Sequence, residues 1–165
     1  MPKERESLNK LYLEQLKDLY SAEEQILEAL PKMIKKTTHA DLKRGFQNHY
    51  QQTEQQKQRL DQIGEELGED LSGHLCKAMQ GLVKEGEEVM EEFKDSDVLD
   101  AALIAAAQRV EHYEMAGYGC ARTYAHLLGF GTQADLLQRT LDEEGDTDHK
   151  LTDLAETVVN IDAMK

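Results

Sequence analysis

The sequence is poor in residues that break helices, cross-link chains or bind nucleic acid. Its 165 residues include two prolines, two cysteines and no tryptophan, and aromatic side chains make up only 5%. So few prolines leave long helices uninterrupted. The two cysteines, Cys76 and Cys120, cannot form a disulfide framework, lack the spacing of a zinc or redox pair, and read as small buried hydrophobes. Basic residues are scarce: 19 Lys and Arg stand against 33 Asp and Glu, a net charge of −14. Without clustered cations to meet phosphate, nucleic acid and an anionic membrane surface are disfavoured as partners. No window approaches the roughly 18 apolar residues of a membrane span, and the polar start MPKERESLNK has no apolar signal core. A cytoplasmic protein is expected.

What is present is helical periodicity. Hydrophobic residues are 39% of the chain and charged residues 32%, enough for one all-α domain over residues 1–165. The first amphipathic segment runs from about Glu4 to Lys36, with Leu16, Leu19, Ile26 and Leu30 on one face; Pro31 predicts a kink or an early end near Leu30. A second follows from Ala40 to Leu67, with Gly68 suited to its C-terminal cap. A weaker, glycine-containing segment from Leu71 to Phe93 reads as a crossover helix outside the bundle. Asp95 or Ser96 offers an N-cap for a third long helix reaching Leu128, and after the turn GFGT a fourth runs from Gln133 to Asn160. Hairpin, long crossover, hairpin is a four-helix-bundle layout, and bundles with one such crossover include those that carry dimetal sites.

The apolar stripes are interrupted at mid-length on all four long helices. Glu23 replaces an apolar residue between Leu19 and Ile26; His49, Gln52, Thr53 and Gln56 interrupt the second stripe; Gln108, Glu111 and Glu114 the third; Glu144, Thr147 and Asp148 the fourth. A buried, unpaired carboxylate costs several kcal/mol and ordinarily takes up a proton instead. Glu23, Glu111, Glu114, Glu144 and Asp148 therefore need positive charge, and Arg122 is the one inner-face cation that periodicity offers. Two divalent ions would supply most of it. Carboxylates with a single imidazole, His49, favour iron or manganese over zinc or copper.

The segments DLYSAEEQILEALPKM, GFQNHYQQTEQQKQRL, DAALIAAAQRVEHYEMAGYG and LLQRTLDEEGDTDHKLTDLA resemble the YciF and YciE type of ferritin-like proteins over nearly the whole chain. The resemblance implies a ferritin-like four-helix bundle with one long crossover carrying a short extra helix. It also implies a rubrerythrin-like or manganese-catalase-like dimetal site, a dimer, and a part in bacterial stress responses. Glu23, His49, Glu111, Glu114 and Glu144 fall where that family has its site residues. Gln52 departs from it: the family pattern H-L-x-E-T reads H-Y-Q-Q-T here, so a carbonyl replaces a carboxylate. Asp148 stands where most ferritin-like sites use histidine.

These readings give a metal set of Glu23, His49, Gln52, Glu111, Glu114, Glu144 and Asp148, two iron or manganese ions, and hydrogen peroxide or dioxygen as substrate. Tyr20 and Tyr118 border the site, while His39, His74, His112 and His126 lie off the inner line. Sequestration without turnover, and a scaffold with a degenerate site, are the competing classes. Leu13, Leu75, Met79, Leu82 and Val83 read as apolar residues that the bundle leaves uncovered, which points to a homodimer.

Overall fold

The computed structural model describes residues 7–165. The chain forms α1 (Leu8–Lys36), α2 (Ala40–Leu67), α3 (Lys77–Glu92), α4 (Leu99–Leu127) and α5 (Gly131–Leu154), then a π-helical turn (Ala155–Val159) and the short α6 (Asn160–Asp162). No strand occurs among the described residues. The expected start of the first helix near Glu4 lies outside them.

Two hairpins, α1–α2 and α4–α5, pack on each other, and α3 crosses on the outside against α1 and α4. The connections are built by local chemistry. Gly129, at φ +83°, makes the left-handed bend between α4 and α5, a conformation open to glycine at no steric cost. The α1–α2 corner is held from a distance by Asp100 in the first turn of α4, which is 7% exposed. Its carboxylate accepts from the Thr38 amide (3.0 Å), the His39 amide (2.8 Å) and the Thr38 hydroxyl (2.6 Å), and so satisfies donors at the start of α2. Asp100→Ala is expected to cost about 2 kcal/mol. A urea midpoint unchanged from wild type would show that the corner holds itself.

Several boundaries differ from the periodic reading. α1 does not end near Leu30; Pro31 faces outward, Met33 and Ile34 pack on the core, and the Thr37 amide and hydroxyl both bond the Met33 carbonyl. The crossover helix starts at Lys77 rather than Leu71, because Gly73 (φ +82°) turns the chain and Cys76 is pinned to α1. The pins are the Ser21 hydroxyl, which accepts from the Cys76 amide at 2.9 Å, and Gln25, which donates to the Cys76 carbonyl at 3.0 Å. Neither Asp95 nor Ser96 is the residue before α4, whose cap position is Val98, and α5 begins two residues before Gln133. Met79 is fully buried by its own chain, and Cys120 is exposed rather than buried.

The core is in two parts. One apolar cluster gathers Ile26, Leu30, Leu42, Phe46, Ile104 and Leu151. The other gathers Tyr12, Leu16, Leu19, Leu60, Ile63 and Leu137. The polar level lies between them. There Gly117 lets α1 and α4 close together, since a Cβ at that position would sit 2.8 Å from Leu19 Cδ2. This approach brings Glu23, one turn beyond Leu19, against Glu114, one turn before Tyr118.

Candidate metal centre

Each long helix delivers its acidic or imidazole groups to this level by helical phase. Glu23 comes from α1, His49 from α2, Glu111 and Glu114 from one face of α4, and Glu144 from α5; all five are buried, at 3% exposure or less. One ligand atom each from His49, Glu111, Glu114 and Glu144 lie within 4.8 Å of one another, a grouping that could hold a metal ion. Glu23 joins them through Tyr118, whose hydroxyl donates to Glu23 Oε1.

The electrostatics are those of a site short of positive charge. Burial first, and then the charges of neighbouring carboxylates, push the Glu23, Glu111 and Glu114 carboxyls well above the ordinary carboxylate range. Burial and the charges of Glu23 and Glu114 likewise push the Tyr118 phenol up, so it keeps its proton and remains a donor. With the acids ionised, Glu23 Oε2, Glu111 Oε2, both Glu114 oxygens, Glu144 Oε2 and both His49 nitrogens are buried without a hydrogen-bond partner. His49 Nε2 is 3.2 Å from Glu111 Oε1, but the pair is not aligned as a hydrogen bond. Glu111 and Glu114 each face Glu144, and Glu23 faces Glu114, so the carboxyls crowd one another rather than a cation. Orphaned ligand atoms of this kind, converging from four helices, are what a bound cation satisfies.

Two expected members sit elsewhere. Gln52 is half-buried in a groove between the start of α2 and α5, with Leu42, Thr147 and Lys150. Geometry explains this: counted from His49, Gln52 lies about −60° round the helix and Gln56 only about −20°. Gln56 therefore takes the inward position, fully buried, its amide donating to Glu144 Oε1. Asp148 lies near Glu111 but is already engaged, with Oδ1 accepting from Gln108 at 3.1 Å and Oδ2 lying 3.2 Å from His112 Nε2. His112 is exposed, as read from sequence, yet it partners this acid.

The buried cation is also not the one expected. Arg122 is only half-buried, whereas Arg59 is 8% exposed and forks onto Glu143 at 2.7 and 2.8 Å while donating to Thr140 at 2.9 Å. Burial pushes Glu143 up, but hydrogen bonds and charge from Arg59 hold its carboxyl below the usual range. The guanidinium is thus occupied, and Glu23, Glu111, Glu114 and Glu144 keep their deficit. Tyr20 lies off the site, its hydroxyl accepting from Lys57 at 2.7 Å.

Four long helices that each bring a carboxylate or imidazole to one buried level between apolar layers define the ferritin-like class of helical bundle. The chain belongs to the ferritin-like family described as a domain of unknown function, DUF892, whose profile matches residues 7–164. It is 44% identical over 155 residues to protein YciF of Escherichia coli K12, covering 93% of each chain. The crystal structure of that E. coli stress protein superposes with a TM-score of 0.89 over 94% of this chain and 98% of the other. YcfI of Rhodopseudomonas palustris, provisionally designated a structural protein, is 42% identical with a TM-score of 0.86, covering 92% of this chain and 97% of its own. A Xanthomonas campestris protein, 20% identical at a TM-score of 0.74 over 94% and 96% of the chains, shares the fold. The family read from the four sequence segments is thereby established. No helix among the described residues is long and apolar enough to cross a membrane.

Proposed function

We propose that this chain is a cytoplasmic dimetal-carboxylate protein of the bacterial stress response that binds two iron or manganese ions and acts on hydrogen peroxide or dioxygen. The observation that carries the reading is the set of buried, unpartnered ligand atoms on Glu23, His49, Glu111, Glu114 and Glu144. Oxygen donors with one imidazole favour iron or manganese. With Asp148 engaged by His112 and Gln108, two divalent ions would balance the four carboxylates Glu23, Glu111, Glu114 and Glu144. The stress-protein description of the E. coli relative supports the physiological side.

Bound at this level, two such ions supply two-electron redox chemistry, each changing oxidation state by one. The chain's own residues set the conditions. Gln56 fixes one oxygen of Glu144 and leaves the other free to bind. Thr53 closes a turn of α2 by donating to the His49 carbonyl at 2.9 Å, and Tyr118 orients Glu23 and keeps a proton at its hydroxyl. The apolar clusters on either side exclude bulk water, which strengthens every interaction between charges inside. Gln52 and Asp148 belong to the periphery in this reading.

Protein purified without added metal or chelator should contain about two iron or manganese per chain by elemental analysis, the number that matches four carboxylate charges. Metal-free protein that takes up none from a twofold excess would leave the scaffold reading, which the designation of the R. palustris relative favours.

The same reading includes a homodimer. Met79 is covered within the chain, and Leu13, Leu82 and Val83 pack half-buried on the core clusters, but Leu75 is 48% exposed and Leu11 45%, and a two-fold interface is the commonest way to bury such residues. Light scattering at micromolar concentration is expected to give twice the chain mass. A monomer, or a cage of a dozen or more chains, would contradict it.

A further inference from the structure

We propose that the apolar pocket between α1, α2, α3 and α4, open to solvent on one side, is a holding site for dioxygen beside the His49 and Glu111 side of the metal level. This rests on the metal-centre reading above and narrows the oxidant named there. The cavity has a volume of about 40 Å³ and is walled by Ile26, Leu30, Phe46, Leu82, Val83 and Met90. At its inner end stand His49 and Glu111, buried, with both imidazole nitrogens and Glu111 Oε2 unpartnered. At its outer edge Lys32 and Glu87, each about half exposed, form an ion pair of 2.6 Å that straps α1 to α3.

The space is written into the sequence. Gly86 on α3, Ala29 on α1 and Ala106 and Ala107 on α4 line it, all smaller than the residues usual in a helix core. A Cβ added at Gly86 would meet only the Ala106 Cβ, at 4.0 Å, so nothing steric forbids a side chain there. Protein interiors are otherwise filled to crystal density, and a void weakens the fold. A void that adjoins unpartnered metal-ligand atoms is therefore a candidate site.

Size and polarity choose the occupant. One water needs roughly 10–15 Å³ of such volume, so the space is sized for a diatomic or triatomic molecule. Hydrogen peroxide would have to give up its hydrogen bonds against Leu, Val, Met and Phe walls before meeting His49 or Glu111. Dioxygen has no hydrogen bonds to lose and partitions into apolar surroundings. The crossover helix thus supplies the outer wall of a pocket that a bare four-helix bundle would lack.

The test uses the purified full chain, with xenon as an apolar probe of similar size, and the variants Gly86→Leu and Ala29→Leu, which fill the cavity from different helices. Crystals under xenon pressure should show xenon between Ile26, Val83 and Val110 in wild type, and none in either variant. With the chain loaded with Fe(II) and iron content equal to wild type, oxidation by dissolved dioxygen should slow about tenfold or more in a filled variant, while oxidation by hydrogen peroxide stays within about twofold. Absence of xenon from the wild type would overturn the proposal. So would dioxygen and peroxide rates that fall together, or a dioxygen rate unchanged once xenon is displaced. Iron uptake is read separately: failure there removes the metal-centre reading, whereas normal uptake with failed xenon or rate arms removes only the dioxygen site.

Discussion

Glu111→Gln is expected to lower metal affinity on the order of a hundredfold or more at neutral pH, since it removes a ligand charge where even outer partners of a metal matter by 10- to 100-fold. Glu111 is 1% exposed, packed against His49 and Glu144, with one oxygen unpartnered. Glutamine keeps the length and shape, so the loss would not come from a cavity. The same substitution separates a ligand from a structural carboxylate. A structural acid lost from a hydrogen-bond network destabilises the metal-free fold. A ligand acid crowded by like charges does the opposite, because its removal relieves repulsion among Glu23, Glu114 and Glu144. The metal-free variant should therefore denature in urea at pH 8 no earlier than the metal-free wild type. Unchanged metal content, or a clearly earlier midpoint at pH 8, would make Glu111 an ordinary structural residue.

Helical phase alone locates Glu23, His49, Glu111, Glu114 and Glu144, because in a bundle each stripe of apolar residues must face the axis and an acid on that stripe has nowhere else to go. Phase failed where long side chains or neighbouring helices decide. Arg59 stands about −80° from His49, at the flank of the stripe, yet its stem carries the guanidinium inward to Glu143. Asp148 is only about 40° from Glu144, and no count along one helix shows that Gln108 and His112 of α4 take its oxygens. Gln52, about −60° from His49, falls at the edge of the stripe and also in the family pattern, but Gln56 one turn on holds the inner line. Cys120 faces outward, because nine residues place it about 180° from Glu111.

The fold was more legible than its joints. Four long periodic segments and one crossover specify the bundle, but the residues before α3 answer to Ser21 and Gln25, more than fifty positions away. The α1–α2 corner likewise answers to Asp100. Such long-range hydrogen bonds leave no periodic trace. The cavity beside His49 was also invisible, because it depends on Ala29, Gly86 and Ala106 meeting across three helices. Small residues read singly signify only close packing.

Stripping the metal is expected to make stability fall as pH rises from 6 to 8. Burial and mutual repulsion raise the carboxyls of Glu23, Glu111 and Glu114 in the folded chain, whereas in the unfolded chain they titrate normally, at about pH 4. Above that pH the folded state holds protons that the unfolded state has lost, so each raised group opposes folding increasingly as pH climbs toward its folded value. The stabilising, protonated arrangement is complete only below the unfolded value. The slope is about 1.4 kcal/mol per pH unit for each proton the folded site retains. Urea midpoints of the metal-free chain at pH 6, 7 and 8 measure it. Glu111→Gln removes one such group and should flatten the slope by about one proton's worth, a control that the general acidity of the chain does not mimic. Restoring metal to about a hundredfold above its dissociation constant should return roughly 2.7 kcal/mol. At one fixed metal concentration the gain should be larger at pH 8 than at pH 6, because binding must displace the protons that the acids hold at lower pH and so weakens there. If the metal-free midpoint is flat from pH 6 to 8, or Glu111→Gln leaves the slope as it was, the buried acids are not a charge-deficient site, and the case for cations between these four helices falls with them.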